Sequence, residues 1–127
     1  DACVGGYFAP FARMNGADLT TFDFELEGVR SISADLHKYG YSAKGASTLF
    51  HRTEEQRKHQ LFSSSDWACG EFGTPTLAGT RPGGAIASAW AVMNFLGTQG
   101  YRKKTETVIR TRLRLQHGIE SIDAYQR

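Results

Sequence analysis

The pattern of hydrophobic and polar residues changes along the chain. In three short segments, 29–34, 46–51 and 60–63, branched, aromatic or other apolar residues stand between small or polar ones. This pattern predicts short strands. Residues 70–84 contain several glycines and two prolines, which predicts a loop.

Two helices are predicted after this loop. Residues 85–96 are apolar on nearly all sides, which indicates a helix that packs against more than one neighbour. Gly97 and Gly100 are predicted to end it. Residues 101–117 carry apolar residues at helical spacing with basic residues opposite, the pattern of an amphipathic helix. Short strands followed by long helices favour a piece of a layered α/β domain.

Length and composition narrow the class of protein. The 127 residues suffice for one domain. The longest nearly apolar segment, 85–96, is far shorter than the roughly 20 residues of a membrane-spanning helix. Residues 1–20 lack the pattern of a secretory signal, and Cys3 and Cys69 show no metal-binding spacing. We therefore expect a reducing, cytoplasmic location, no metal site and no membrane-spanning segment in this chain, and leave open an anchor further upstream.

Positive charge is concentrated near the C-terminal end. The net charge is +2, whereas residues 101–127 hold seven basic and three acidic residues, a local charge of +4. Such asymmetry occurs on surfaces that bind nucleic acids. Aromatic residues do not alternate with the basic ones here, so a solvated helix face is favoured and we expect no nucleic-acid partner.

Three segments carry residues capable of chemistry. His37 and Lys38 follow a predicted strand and precede a glycine-containing loop, where α/β folds place functional groups. Cations such as His37 and Lys44 would depress the pKa of Lys38 and make its amine nucleophilic. Residues 1–6 combine a carboxylate with two glycines, and residues 79–84 offer an anion backbone N–H groups, a hydroxyl and a guanidinium. Taken singly, each has a simpler explanation: a solvated lysine, a frayed terminus and a loop that caps a helix.

In this order the segments resemble a known family. Asp-Ala-x-x-Gly-Gly begins the chain, Ser-Ala-Asp-x-His-Lys-Tyr-Gly-Tyr spans 33–41, Lys-Gly follows at 44–45, and Gly-Thr-Arg-Pro-Gly-Gly spans 79–84. The sequence is similar to the second half of the large domain of pyridoxal-phosphate (PLP) enzymes of the aspartate aminotransferase fold, fold type I, in the group II decarboxylase family. Within this family it most resembles the sphingosine-1-phosphate lyases. The resemblance covers nearly the whole chain, and residues 31–45 are its most specific part.

The resemblance implies a fold and a domain organisation. We expect part of a three-layer α/β/α large domain, with a central, mostly parallel sheet flanked by helices. Residues 1–127 would form the C-terminal portion of this PLP-binding domain, with strands and cofactor loops in 1–83 and closing helices in 84–127. Enzymes of this family are several hundred residues long, so we expect a fragment that lacks the small C-terminal domain. A homodimer with a shared active site is also implied.

The resemblance also implies residue roles, with PLP as the cofactor. Lys38 matches the catalytic lysine that forms a Schiff base with the cofactor aldehyde. Asp1 matches the aspartate that pairs with the pyridinium nitrogen, and the small Ala2 beside it would let the ring lie flat. His37 matches a residue that contacts the cofactor phosphate. Thr80 matches a hydroxyl that reaches the phosphate of the partner subunit's cofactor.

The implied substrate is a phosphorylated amino-alcohol lipid. Lys44 matches a lysine that helps to hold the substrate phosphate, and Tyr41 lines the same loop. The implied reaction is retro-aldol cleavage of sphingosine 1-phosphate, or a related long-chain base, to a fatty aldehyde and phosphoethanolamine. A glutamate or aromatic amino acid decarboxylase would use the same Lys38 and Asp1, and a non-catalytic remnant would use neither; Lys44 favours the lyase. Leu36 stands where these lyases commonly carry threonine, and we expect it only to pack.

Overall fold

Within residues 1–122, which the computed structural model describes, four short strands form two antiparallel pairs. The first pair is β1 (Ser31–Ala34) with β2 (Thr48–His51), and the second is β3 (Phe62–Ser64) with β4 (Phe72–Thr74). The three predicted strands are confirmed with shifted ends, whereas β4 lies in the segment predicted as loop. The ring of Phe72 packs against Trp67 and Phe62, with centroids 5.0 and 6.4 Å away, and this aromatic contact stabilises the second hairpin.

The first residues of the chain run alongside β1. The backbone N–H of Ala2 donates to the carbonyl of Ser33 at 2.9 Å, and that of Asp35 donates to the carbonyl of Cys3 at 3.1 Å. The two segments therefore run in the same direction, as neighbours in a parallel sheet do. A Cβ atom at Gly6 would lie 2.8 Å from the carbonyl oxygen of Ala2, so only glycine allows this close approach. The acidic start of the chain is thereby fixed beside the end of β1.

Two short helices were not predicted. α1 (Ala9–Met14) has Pro10 in its first turn, where the missing N–H costs no hydrogen bond. α2 (Glu54–Lys58) is capped by Thr53, whose side chain accepts a hydrogen bond from the N–H of Gln56 at 3.3 Å. Each helix is too short for its apolar residues to show the helical period in the sequence.

A long kinked helix closes the described part of the chain. α3 (Gly84–Glu120) is interrupted at Gly97, whose φ of 53° and ψ of −177° are not helical. The two predicted helices are thus confirmed as the halves of α3 before and after this residue. Gly100 does not help to end the helix as predicted, since it lies inside the second half. Among residues 1–122, no helix combines the length and hydropathy needed to cross a membrane.

The core is small and lies between the β1–β2 hairpin and α3. Leu36, Ala46 and Ala89 are buried together, and Tyr7 and Ala85 pack against them. Leu36 therefore packs as expected. The first half of α3 also presents large apolar side chains that remain exposed: Ile86, Trp90, Met93 and Phe95. Within residues 1–122 nothing covers these four side chains, so the packing of this helix against a further neighbour stays a prediction.

Candidate active site

A tight turn after β1 carries the candidate lysine. The N–H of Lys38 donates to the carbonyl of Asp35 at 3.2 Å, and the N–H of Tyr41 donates to the carbonyl of Lys38 at 3.0 Å. Tyr41 adopts a left-handed φ of 60°, and a Cβ atom at Gly40 would collide with the backbone of Leu36. The backbone of the turn is therefore closely specified, and with it the starting point of the lysine side chain.

The Lys38 amine contacts a carboxylate and a thiol. Its Nζ lies 2.9 Å from Oδ2 of Asp35 and donates to Sγ of Cys3 at 2.6 Å. Hydrogen bonds to Cys3 and then to Asp35 raise the pKa of Lys38 above its ordinary value, because they stabilise the ammonium form. The expectation that neighbouring cations depress this pKa is therefore wrong. His37 faces the same carboxylate as Lys38, and Lys44 is exposed on the loop beyond.

Asp35 accepts hydrogen bonds from three side chains. Besides the Lys38 contact, its Oδ1 accepts from the hydroxyl of Ser47 at 2.5 Å and its Oδ2 from the thiol of Cys3 at 3.2 Å. The hydrogen bonds from Ser47, Lys38 and Cys3 hold the pKa of this carboxyl well below its usual range. Asp35, Cys3 and Ser47 are functional candidates that the sequence pattern did not reveal. We call Cys3, Asp35, His37, Lys38 and Ser47 the Asp35 cluster.

The ring of His37 is held between β2 and the same carboxylate. Its Nδ1 lies 2.7 Å from the carbonyl oxygen of Ala46, and its Nε2 lies 3.5 Å from Oδ2 of Asp35. A carbonyl only accepts hydrogen bonds, so Nδ1 is the protonated nitrogen in this contact. The backbone N–H of His37 donates to the same carbonyl at 3.2 Å. Backbone and ring together therefore fix the orientation of this imidazole.

The side-chain carboxylate of Asp1 belongs to residues 1–3, the segment that the Lys38 amine contacts through Cys3. Oδ1 of Asp1 accepts from the N–H of Cys3 at 2.8 Å and from the hydroxyl of Ser33 at 3.3 Å. Ala2 is buried, and the Lys38 amine meets Cys3, the next residue along. The structure thus places the Lys38 amine against Cys3, the neighbour of Ala2, and places His37 against the same Asp35 carboxylate as Lys38.

Lys44 lies in a cavity that borders the Asp35 cluster, because Ser47 is part of its lining. This exposed lysine and Arg81 line a surface cavity of about 540 Å³. Its remaining wall is mostly apolar and includes Leu36, Ala85, Ile86, Ala89, Trp90 and Met93. Two cationic side chains and an apolar wall therefore share one cavity, an arrangement suited to an amphiphilic anion.

The remaining two predicted residues lie outside the Asp35 cluster. The ring of Tyr41 has its centroid 5.0 Å from the amine of Lys104 and 6.3 Å from the ring of Tyr39. Thr80 is exposed in the loop before α3, and its side chain forms no hydrogen bond with any residue of 1–122. The structure therefore does not bring the side chains of Tyr41 or Thr80 to the Lys38 amine.

Comparisons with known proteins extend over nearly the whole chain. No protein-family model matches it. A sphingosine-1-phosphate lyase of Arabidopsis thaliana is 45% identical over 122 residues, which are 96% of this chain and 22% of that protein. The solved structure of a sphingosine-1-phosphate lyase of Burkholderia pseudomallei matches 97% of this chain and 28% of its own, with 42% identity and a TM-score of 0.92. A glutamate decarboxylase of Lactobacillus brevis matches 84% of this chain and 23% of its own, with 28% identity and a TM-score of 0.66.

These matches confirm the expected α/β fold class, since the chain superposes on part of larger enzymes of the two expected kinds. The mostly parallel sheet is not seen within residues 1–122, whose two strand pairs are antiparallel and in which residues 1–3 run parallel to β1. The chain spans about a fifth of the length of the curated relatives it matches, 22% for the Arabidopsis protein.

Proposed function

Because this chain is a relative of the sphingosine-1-phosphate lyases over nearly its whole length, we propose that it carries part of the active site of a PLP-dependent carbon–carbon lyase. The observation that carries the proposal is the position of the Lys38 amine. The amine lies 2.6 Å from Sγ of Cys3 and 2.9 Å from the Asp35 carboxylate. Cys3 belongs to the same three-residue segment as Asp1 and Ala2.

The residues present fit PLP. Lys38 supplies a primary amine on the surface of the protein, about one third exposed, that would hold the cofactor covalently. Asp1 would pair with the ring nitrogen, and the small side chain of Ala2, which is buried, would let the ring lie flat. His37 would contact the phosphate through a ring whose orientation is already fixed. Thr80, exposed and without a side-chain hydrogen bond within residues 1–122, would reach the phosphate in the partner subunit.

The protein's part in the reaction follows from these groups. When bound, PLP supplies an electron sink for the electron pair freed at the substrate's α-carbon. The Asp1 carboxylate would keep the ring nitrogen protonated, because an opposite charge stabilises the cationic form. The Lys38 amine would accept the proton of the substrate's β-hydroxyl while the Cα–Cβ bond breaks and the aldehyde forms, and a proton would then return to the α-carbon.

Lys44 supports a phosphorylated, long-chain substrate. A lysine amine is a point charge suited to phosphate, and Arg81 in the same cavity adds a second cation. The apolar wall that they share suits a hydrocarbon chain. The substrate class that we propose is therefore a phosphorylated amino-alcohol lipid such as sphingosine 1-phosphate, with Tyr41 lining the approach.

We also propose the assembly around this chain. Residues 1–83 would supply strands and cofactor loops and residues 84–127 closing helices of a PLP-binding domain. Thr80 would cross to the second subunit of a homodimer, and the enzyme would act in the cytoplasm. Of the last range, residues 123–127 lie outside the described part of the structure.

Turnover of sphingosine 1-phosphate by the full-length protein tests this function. We expect equal amounts of fatty aldehyde and phosphoethanolamine. Lys44→Met should lower kcat/KM by roughly tenfold or more, since a hydrogen bond to a charged group contributes about 1.5–3 kcal/mol. Lys58→Met is the matched control, because Lys58 is exposed on α2 and pairs with Glu55 at a distance of 3.9 Å. It should leave turnover unchanged.

An amino acid decarboxylase is the second candidate, favoured by the superposition on the Lactobacillus brevis glutamate decarboxylase. It would release carbon dioxide from glutamate or an aromatic amino acid and would not need Lys44. Carbon dioxide release from these substrates, with no cleavage of the phosphorylated lipid and no effect of Lys44→Met, would replace the lyase by the decarboxylase.

A further inference from the structure

One carboxylate joins three separate segments of the chain at the candidate lysine. Asp35 follows β1, Cys3 lies 32 positions earlier and Ser47 lies 12 positions later, immediately before β2. Only 13% of the Asp35 side chain is exposed. Its two oxygens divide the contacts: Oδ1 accepts from Ser47, while Oδ2 meets Cys3 and the amine of Lys38. The carboxylate is therefore fixed from both sides.

Within residues 1–122, the Lys38 amine contacts one thiol and one carboxylate. Segment 1–3 presents the Cys3 thiol at 2.6 Å, and the turn presents the Asp35 carboxylate at 2.9 Å. Behind that carboxylate lie the His37 ring, at 3.5 Å, and the Ser47 hydroxyl. Asp35 thus supplies the negative charge in contact with the amine, and both the position and the protonation of the amine depend on it.

We propose that Asp35 is a positioning residue. It holds the Lys38 amine against residues 1–3 as an ammonium ion until the amine reacts with the cofactor aldehyde. The proposal deepens the proposed function and rests on it for the identity of the aldehyde. An ammonium ion does not attack a carbonyl, so the Lys38 ammonium must first give a proton to the solvent, to which it is about one third exposed. Asp35 therefore sets both where the amine lies and the pH range in which it becomes reactive.

The sign of the pH effect follows from the contacts. The hydrogen bond to the Cys3 thiol and then the hydrogen bond to the Asp35 carboxylate favour the charged amine and raise the pKa of Lys38. Replacement of the carboxylate by an amide removes the charge and keeps the shape. The neutral, reactive amine then forms at lower pH.

Reductive methylation of the cofactor-free, full-length protein measures how the reactivity of the Lys38 amine depends on pH, and it requires no enzyme activity. Formaldehyde and cyanoborohydride would be applied over a range of pH, and the modification of Lys38 quantified by peptide mass spectrometry. In Asp35→Asn we expect the modification of Lys38 to begin at lower pH and to be roughly threefold or more faster at neutral pH. Asp35→Glu, which restores the charge, should return the profile towards that of the unmodified protein.

Asp23→Asn is the matched control. Asp23 pairs with Arg13 at 3.1 Å, outside the Asp35 cluster, so this variant should leave the Lys38 profile unchanged. Ser47→Ala is the second test variant, because it frees Oδ1 while the charge stays. It should shift the profile in the same direction by less, because a carboxylate held from one side only turns away from the amine for part of the time. It also covers the case in which Asp35→Asn does not fold.

The outcomes separate the two proposals. A Lys38 profile that is unchanged in folded Asp35→Asn, or in Ser47→Ala if the former does not fold, overturns the positioning role. An equal shift in Asp23→Asn overturns it as well. The identity of the aldehyde is tested apart from this, by PLP in place of formaldehyde. If PLP does not attach to Lys38 although the formaldehyde profile shifts as expected, the proposed function fails and the positioning role stands.

Discussion

Tyr101 ties the turn that carries Lys38 to the second half of α3. Its hydroxyl donates to the carbonyl of Gly40 at 2.8 Å, and its ring stacks on Phe11 with centroids 4.9 Å apart. The residue is only 4% exposed, so removal of the hydroxyl would leave the Gly40 carbonyl buried without this partner. This single side chain therefore links α1, the turn and α3.

Tyr101→Phe should loosen the turn while the ring stacking persists. Loss of a buried hydrogen bond costs about 1 kcal/mol, which corresponds to roughly fivefold faster amide exchange in the turn when opening is local. Hydrogen exchange of peptides that cover residues 38–42, followed by mass spectrometry, measures this. Tyr39→Phe serves as control, since the Tyr39 hydroxyl forms no hydrogen bond within residues 1–122. Equal protection in Tyr101→Phe and the unmodified protein would contradict the proposed link.

The residues of the Asp35 cluster differ in how far the sequence reveals them. His37, Lys38 and Asp1 were identified because they stand at fixed offsets inside local motifs. Asp35 stands in the same motif, but its partners Cys3 and Ser47 reach it only through the pairing of the first residues and β2 with β1. Such long-range register is not encoded in local spacing. For the same reason the rise in the pKa of Lys38 could not be foreseen.

At the scale of the elements, Gly97 determines the course of α3. Its φ of 53° with ψ of −177° lies in a region that is essentially restricted to glycine. This break is predictable from the sequence, because glycine after an apolar helical run is a stop signal. The same prediction at Gly100 is wrong, since that residue has a helical backbone. The sequence pattern alone does not tell which of the two glycines ends the helix.

Gly97→Ala should therefore destabilise the protein by about 1–3 kcal/mol, because alanine must adopt a strained backbone or straighten the kink. Gly118→Ala is the matched control within the same helix. Its backbone is helical and a Cβ atom there would meet no atom within 4 Å, so it should stabilise by about 0.5–1 kcal/mol. Denaturant unfolding of both variants measures the difference. A Gly97→Ala protein as stable as Gly118→Ala would contradict the kink.

At the scale of the whole molecule, the described residues bury little and expose much. The buried residues are mostly alanines, whereas Phe95 is 88%, Trp90 70% and Ile86 63% exposed. Large exposed apolar side chains are normally covered by another protein surface or by a ligand. In the proposed enzyme, the remainder of the large domain and the second subunit would cover Phe95, whereas Ile86 and Trp90 line the Lys44 cavity, which the substrate chain would fill.

These 127 residues, expressed alone, should therefore self-associate or remain molten and bind no stoichiometric PLP. Sedimentation velocity should show a weight-average mass that rises with concentration, and a dye specific for exposed apolar surface should bind. Trp90→Lys should reduce the association, because a charge at the centre of the apolar face disfavours its burial. A monomer with a sharp, dispersed NMR spectrum would contradict this account of the exposed face.

Attachment of PLP to Lys38 is the central claim, and its most direct test is chemical. The full-length protein would be loaded with PLP, reduced with borohydride, digested and mapped by mass spectrometry. We predict a pyridoxyl group on the peptide that contains Lys38, retained in Lys44→Met and absent in Lys38→Arg. A pyridoxyl group on Lys44 or another lysine, or none on any lysine, would contradict the account.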